Sequence, residues 1–148
     1  MPKLLRLGFL TCIAYFVAMS CAHFFGIKVP VLFVYYDTPY YAYQDKIISF
    51  AVISYIGLFW AASRDVAVAP IALGVLALTV LGLVSVNLSE ALQSVLAEWQ
   101  STWPYWAQTA MLGGIWLVLT VPYVWRRQPA LRGQIAADNL KGAAQGRA

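Results

Sequence analysis

The chain has 148 residues, of which 61% are hydrophobic and only 11% charged, with a net charge of +4. Soluble domains carry about a quarter charged residues, so a fold surrounded only by water is excluded and part of the solvent is lipid. The alternation of a lipid-facing barrel strand is missing, which leaves helices, because hydrocarbon offers backbone groups no partner.

Four apolar runs meet the length of about 20 residues that a spanning helix needs. The expected spans are 7–27, 39–63, 66–86 and 104–125, making one all-α domain over 1–125. The first follows Lys3 and Arg6. It exceeds the ~7–15 apolar residues of a signal peptide, and "AHFFGIKVPVLF" after it stays apolar, so it is expected to be a retained helix. Gly8, Cys12, Tyr15, Met19, His23 and Gly26 recur at helical spacing. This small and polar stripe predicts the face that packs on other helices. The Leu, Ile, Val and Phe residues of the opposite face are expected to meet lipid. Cys12 and Cys21 lie about 13.5 Å apart along one helix, beyond disulfide reach.

The segment "KVPVLFVYYDTPYYAYQDK" follows. Its first half, after Pro30, is too short to span again and is expected to be extended or re-entrant at the membrane surface. Its second half begins a helix, with Thr38 as N-cap and Pro39 at the first helical position. Tyr40, Tyr41 and Tyr43 then sit at headgroup level, as an aromatic belt. The second span ends at the short turn "SRD", which makes spans two and three antiparallel neighbours. Pro70 falls in the first turn of span three, where a missing N–H costs little. Gly74, Leu78, Gly82 and Ser85 are expected to form its packing face.

The stretch "NLSEALQSVLAEWQSTW" carries Asn87 and Glu90 at capping-box spacing. Leu88, Leu92, Val95, Leu96, Trp99 and Trp103 share one helical face, which predicts a short amphipathic interfacial helix over about 88–100. Pro104 then starts span four, whose stripe is Trp106, Thr109, Gly113, Trp116, Thr120 and Tyr123. Residues 126–148 are rich in Ala, Gly, Gln and Arg and read as a flexible basic tail.

Lys3, Arg6, Arg64, Arg126, Arg127, Arg132, Lys141 and Arg147 fall on one side of these spans, and only Lys28 and Lys46 on the other. By the positive-inside rule both termini are cytoplasmic, in the inner membrane of a bacterium. The positive charge is thus accounted for by topology, and a nucleic-acid partner is not expected.

A membrane carboxylate is costly and faces the bundle interior or water. Asp45 lies nearly two turns inside span two, sharing a face with Tyr41 and Ser49. His23 lies at similar depth on span one. One reading pairs Asp45 with Lys46 or Lys28 at the interface. The other brings His23, Asp45, Tyr41 and Ser49 into a small polar pocket at the outer leaflet, with Asp37 and Tyr36 at its lip. A single histidine excludes bis-histidine haem within one chain, and no metal-ligand spacing occurs. Nucleophilic triads and phosphate-cradling glycine loops are also missing, so no catalytic residue is assigned.

The opening "LLRLGFLTCIAYFVAMSCAHFFGI", with Arg6 shortly before Gly8, resembles the first helix of the small bacterial DoxX-like membrane proteins. The likeness covers that helix and the four-helix, ends-inside topology. It implies a link to thiol, sulfur or quinone redox chemistry and carries no residue role across. Two expectations follow. One is a non-catalytic accessory or assembly subunit of a larger membrane complex. The other is a redox or ligand-binding protein whose outer-leaflet pocket takes a quinone or another small lipophile. A transporter would call for repeat symmetry and broken helices, and only Pro122 hints at a break.

Overall fold

The computed structural model describes residues 3–29 and 36–145, with side chains described as far as Trp125. Five helices follow in order: α1 (Lys3–Phe25), α2 (Tyr41–Arg64), α3 (Ala69–Asn87), α4 (Glu90–Val95) and α5 (Trp103–Gln145). No strand occurs among the described residues. Lys3–Phe25, Tyr41–Arg64, Ala69–Asn87 and Trp103–Trp125 are each long and apolar enough to cross a membrane. The extended or re-entrant course expected for residues 30–35 lies outside the described residues.

The helix ends follow local chemistry. At the end of α1, Gly26 adopts a left-handed φ of 67°. Its N–H reaches the His23 carbonyl at 3.4 Å, and the Ile27 N–H reaches Ala22 at 2.8 Å. This pair of bonds is a Schellman cap, which satisfies two of the carbonyls a helix end leaves open. Asp65 closes α2 through a 2.9 Å bond from its N–H to the Ala61 carbonyl. Its carboxylate accepts from the Ala67 N–H at 2.9 Å and shapes the turn into α3.

The start of α2 differs from expectation. Thr38 is not its N-cap: the Thr38 carbonyl accepts from the Tyr41 N–H at 3.1 Å, closing a turn over 38–41. Pro39 occupies the second position of that turn. Tyr40, in the third, has φ 64° and ψ 15°, and α2 begins one residue later. Proline followed by a positive φ is the pattern of a type II turn, which competes here with direct helix initiation.

Two helix pairs carry most of the packing, α1 against α2 and α3 against α5, with thinner contacts from α2 to α3 and from α1 to α5. On the first pair Phe9 stacks on Phe59 at 5.9 Å between ring centroids, and Phe16 on Tyr55 at 5.2 Å. Further along, Ser20 Oγ donates to the Ser49 carbonyl at 3.0 Å. Rising numbers on α1 thus meet falling numbers on α2. On the second pair Trp116 Nε1 donates to the Leu73 carbonyl at 3.1 Å, and Asn87 Nδ2 donates to Thr109 Oγ1 at 2.9 Å. Lipid gives helices no water-exclusion drive to associate, so dense ring packing and interhelical hydrogen bonds carry the cohesion.

Some expected faces are corrected. Phe9 and Phe16 are buried, although they lie outside the small-residue stripe of α1, because they interlock with Phe59 and Tyr55. On α3 the expected face is turned outward: Gly74, Gly82 and Ser85 are exposed and Leu78 is 69% exposed. Ala69, Ala72, Leu73 and Leu76 are buried instead. Alanine admits close backbone approach as glycine does, and leucine fills the space between helices.

α4 spans Glu90–Val95, six residues, shorter than expected. Asn87 does not cap it, since Asn87 ends α3 and spends its amide on Thr109. Ser89 precedes α4 without a side-chain cap bond. α5 continues past Trp125 to Gln145, where a flexible tail was expected. Ala, Gln, Leu and Arg are strong helix formers, and they extend a helix already nucleated.

Candidate functional site

Between the paired helices lies a partly open cavity of about 560 Å³, at the end of the molecule that carries α4. The α1–α2 side contributes Phe16, Met19, His23, Asp45, Ile48, Val52 and Tyr55. Facing them are Thr79, Leu83, Asn87, Tyr105, Gln108 and Leu112 of α3 and α5. Leu92 and Val95 of α4, together with Tyr36, Thr38, Tyr41 and Gln44, also line it.

His23 and Asp45 are both buried, at 7% and 8% exposure. Nδ1 of His23 lies 2.9 Å from Oδ1 of Asp45. Two features of the chain bring them together. His23 sits in the last turn of α1, and Asp45 is one turn into α2. The Ser20–Ser49 bond fixes the helix register beside them. A buried charge needs a hydrogen-bonded partner, and each of these groups supplies the other's.

The sequence-predicted residues divide. His23, Asp45, Tyr41 and Tyr36 line the cavity; Asp37 and Ser49 do not. Asp37 forms an ion pair with Lys28, both groups being nearly half exposed. Lys28 Nζ also lies 5.6 Å from the centroid of Tyr41, and Asp45 is left to His23. Ser49 is buried, with its hydroxyl donated to the Lys46 carbonyl at 2.7 Å. That bond stays within α2, as a helical serine readily bonds its own preceding turn, and it is the backbone carbonyl of Ser49 that joins α2 to Ser20 of α1. Tyr36 packs edge-on against Trp99 at 6.1 Å, and its hydroxyl accepts from the Ser101 N–H at 3.4 Å.

The far wall was missed in sequence. Thr79 Oγ1 donates to the Val75 carbonyl at 2.9 Å and lies 2.6 Å from the Tyr55 hydroxyl. With its hydrogen committed to Val75, Thr79 accepts and Tyr55 donates. The same device recurs at Thr109, which donates to the Tyr105 carbonyl at 2.9 Å while accepting from Asn87. Gln108 bonds the Tyr15 side chain. The signal for these residues was their polarity inside apolar runs, but Asn87 competed with a capping-box reading.

No three His, Cys, Asp or Glu side chains gather as metal donors among the described residues. Cys12 is a buried thiol and Cys21 an exposed one, and neither lines the cavity. The cavity therefore combines aromatic and aliphatic walls with one hydrogen-bonded acid–imidazole pair. Such a site holds an apolar body and orients a polar head. No family model, curated protein or solved structure matches this chain.

Proposed function

We propose that the chain is a small multi-pass protein of a bacterial inner membrane that binds a small lipophile with a polar head, a quinone foremost, in the cavity between its helix pairs. The observation that carries this reading is the buried His23–Asp45 contact on the wall of an aromatic-lined cavity. In the same reading the four long helices form an antiparallel bundle with both ends in the cytoplasm. The opposite order of contacts along α1–α2 and along α3–α5 supports that arrangement, as do the basic residues of the sequence. The cavity then opens at the outer leaflet. α4, with its exposed flanking residues Leu88 and Trp99, lies in the interface. The DoxX-like resemblance of the first helix belongs to this proposal, and no residue role depends on it.

The experiment is extraction and mass spectrometry of lipids retained by protein purified from its native membrane in mild detergent. A lipophile is expected at stoichiometric yield in the wild type and at a clearly lower yield in His23→Ala and Asp45→Ala. Equal retention by all three removes the reading. The role is non-catalytic in itself, with the chain serving as an accessory subunit that holds the ligand for a larger complex. Co-purification tests that half separately: a partner is expected to be retained by the wild type, and a lone monomer in native membranes would contradict it.

A further inference from the structure

A second hollow lies between α1 and α5, at the end of the molecule where α1 begins. We propose that it seats one acyl chain of an anionic phospholipid, whose phosphate sits at the basic head of the groove, by Lys3 and Arg126. This seat presupposes a bilayer around the four apolar helices, and no ligand at His23 or Asp45 enters into it.

The groove has a volume of about 550 Å³ and runs along α1 from Leu4 to Tyr15 and along α5 from Gly114 to Pro122. It is open along its length, and Leu4, Leu7 and Val118 of its walls are exposed. Its polar groups are spent: Thr11 Oγ1 donates to the Leu7 carbonyl at 3.0 Å, and Tyr15 bonds Gln108. The walls therefore accept hydrocarbon. At about 1.5 Å per residue the α1 wall is about 16 Å long, close to one leaflet of a hydrocarbon core about 30 Å thick. The volume spread over that length gives a mean width of about 6–7 Å. A helix with its side chains is about 10–12 Å across and too thick to enter. A single extended hydrocarbon chain fits along it. The floor closes at Gly8, where a Cβ would run into Leu119.

Helix register places the charges at its head. Gly8 meets Leu119 and Tyr15 meets Gln108, so rising numbers on α1 meet falling numbers on α5. Lys3 then lies about 7.5 Å and Arg126 about 10.5 Å beyond the Gly8–Leu119 contact, at the same end of the groove. At about 100° per residue, Lys3 falls about 40° from Leu7, on the edge of the lining arc, and Arg126 falls within the arc from Gly114 to Leu119. Arg6 falls on the opposite side of α1, and Arg127 about 80° outside the α5 arc. Two of these four basic positions thus stand at the head of the groove and two do not. An anionic headgroup brings no ammonium of its own to this place, and each lysine or arginine beside it adds about fivefold in affinity.

The experiment is native mass spectrometry of the purified full-length protein, titrated in detergent with phosphatidylglycerol and separately with phosphatidylcholine of the same acyl chains. Expected is one phosphatidylglycerol bound about tenfold or more tightly than phosphatidylcholine. Lys3→Gln and Arg126→Gln each lower that affinity about fivefold. Arg6→Gln and Arg127→Gln remove the same charge from other faces and leave it unchanged. Gly114→Leu tests the chain: nothing stands within 4 Å of a Cβ built there, so the new side chain projects into the groove. Phosphatidylglycerol binding is then expected to fall to the level of phosphatidylcholine with all charges in place. Equal affinities for the two lipids in the wild type, or equal losses in all four charge variants, overturn the proposal, the latter as general attraction to a basic end. Unchanged phosphatidylglycerol binding in Gly114→Leu overturns it too. So does a dimer or partner complex of the wild type that Gly114→Leu dissociates, which would make the groove an interface between chains. Lys3 is exposed, so Lys3→Gln decides the question even if Gly114→Leu fails to fold. His23→Ala is expected to leave phosphatidylglycerol binding unchanged, which separates this outcome from loss of the lipophile in the other cavity.

Discussion

Ser20 on α1 donates its hydroxyl to the carbonyl of Ser49 on α2 at 3.0 Å, one helical turn from the contact between His23 and Asp45. The two bonds act as neighbouring rungs between the same helices. Ser20→Ala removes only the outer partner of a carbonyl on a continuous helix, so its cost is that of one interhelical bond in a membrane, about 0.6 kcal/mol. Reversible unfolding in mixed micelles measures it. A loss several times larger would mean that Ser20 holds more than one bond.

Removing one member of the buried pair has a greater effect, and the two removals differ. His23→Ala leaves a carboxylate facing an apolar cavity, whereas Asp45→Ala leaves an imidazole that can stay neutral. Uncompensated charge is the costlier remainder. His23→Ala is therefore expected to lower stability more than Asp45→Ala, and the double variant to be no worse than His23→Ala alone. The same unfolding assay reads the order, and the reverse order would place the charge elsewhere.

Gly8 and Leu119 set the spacing of α1 and α5. A Cβ built on Gly8 lands inside the contact distance of Leu119 Cδ2, and Leu119 is itself buried. Gly8→Ala is expected to cost about 1 kcal/mol or less, because the obstructing atom is the end of a leucine side chain and the helix propensity of alanine offsets part of the overpacking. Leu119→Val shortens the obstructing branch, so the double variant should recover part of that loss. A double-mutant cycle checks the coupling. Additive effects would show that the seam relaxes without Leu119.

How far the molecule can be read from its residues depends on which physical signal each feature leaves. The four apolar helices are legible because hydrocarbon thickness imposes a length that hydropathy reveals directly. The closeness of His23 and Asp45 is legible from their equal depth on consecutive helices and the cost of leaving either alone in lipid. Helix faces are far less legible. In water the buried face is the apolar one; in a bilayer both faces are apolar, and α3 hides Ala72 and Leu76 while exposing Gly74 and Leu78. Phe9 and Phe16 have the composition of lipid-facing residues and the packing of core ones. Asn87 shows how one residue can satisfy two local rules. Its side chain can cap a following helix or bridge to the next, and the nearness of Thr109 decides for the bridge.

The turn ahead of α2 carries a strained residue. Tyr40 is the one non-glycine residue with positive φ among the described residues, and it is 82% exposed. A tyrosine in the left-handed region costs about 1–2 kcal/mol, which asparagine tolerates better. Its ring is not buried against other side chains, so Tyr40→Asn is expected to raise stability by up to about 1 kcal/mol. A fall in stability would instead assign the exposed ring an anchoring role at the membrane surface.

Orientation is the premise on which an outer-leaflet cavity rests, and single cysteines test it. The background is Cys12→Ala with Cys21→Ala, which removes both native thiols. Gln100 lies between α4 and α5, at the end of the molecule that bears the cavity. Val66 lies in the turn between α2 and α3, at the other end. In intact cells a membrane-impermeant maleimide is expected to label Gln100→Cys and to spare Val66→Cys. After permeabilisation both should react. This order follows from the proposed orientation, in which the positive-inside rule turns the end carrying Arg64 and Arg6 toward the cytoplasm. Labelling of Val66→Cys alone in intact cells would invert the protein in its membrane and turn the cavity toward the cytoplasm. Ligand would then reach His23 and Asp45 from the inner leaflet, with the contacts within the site unchanged.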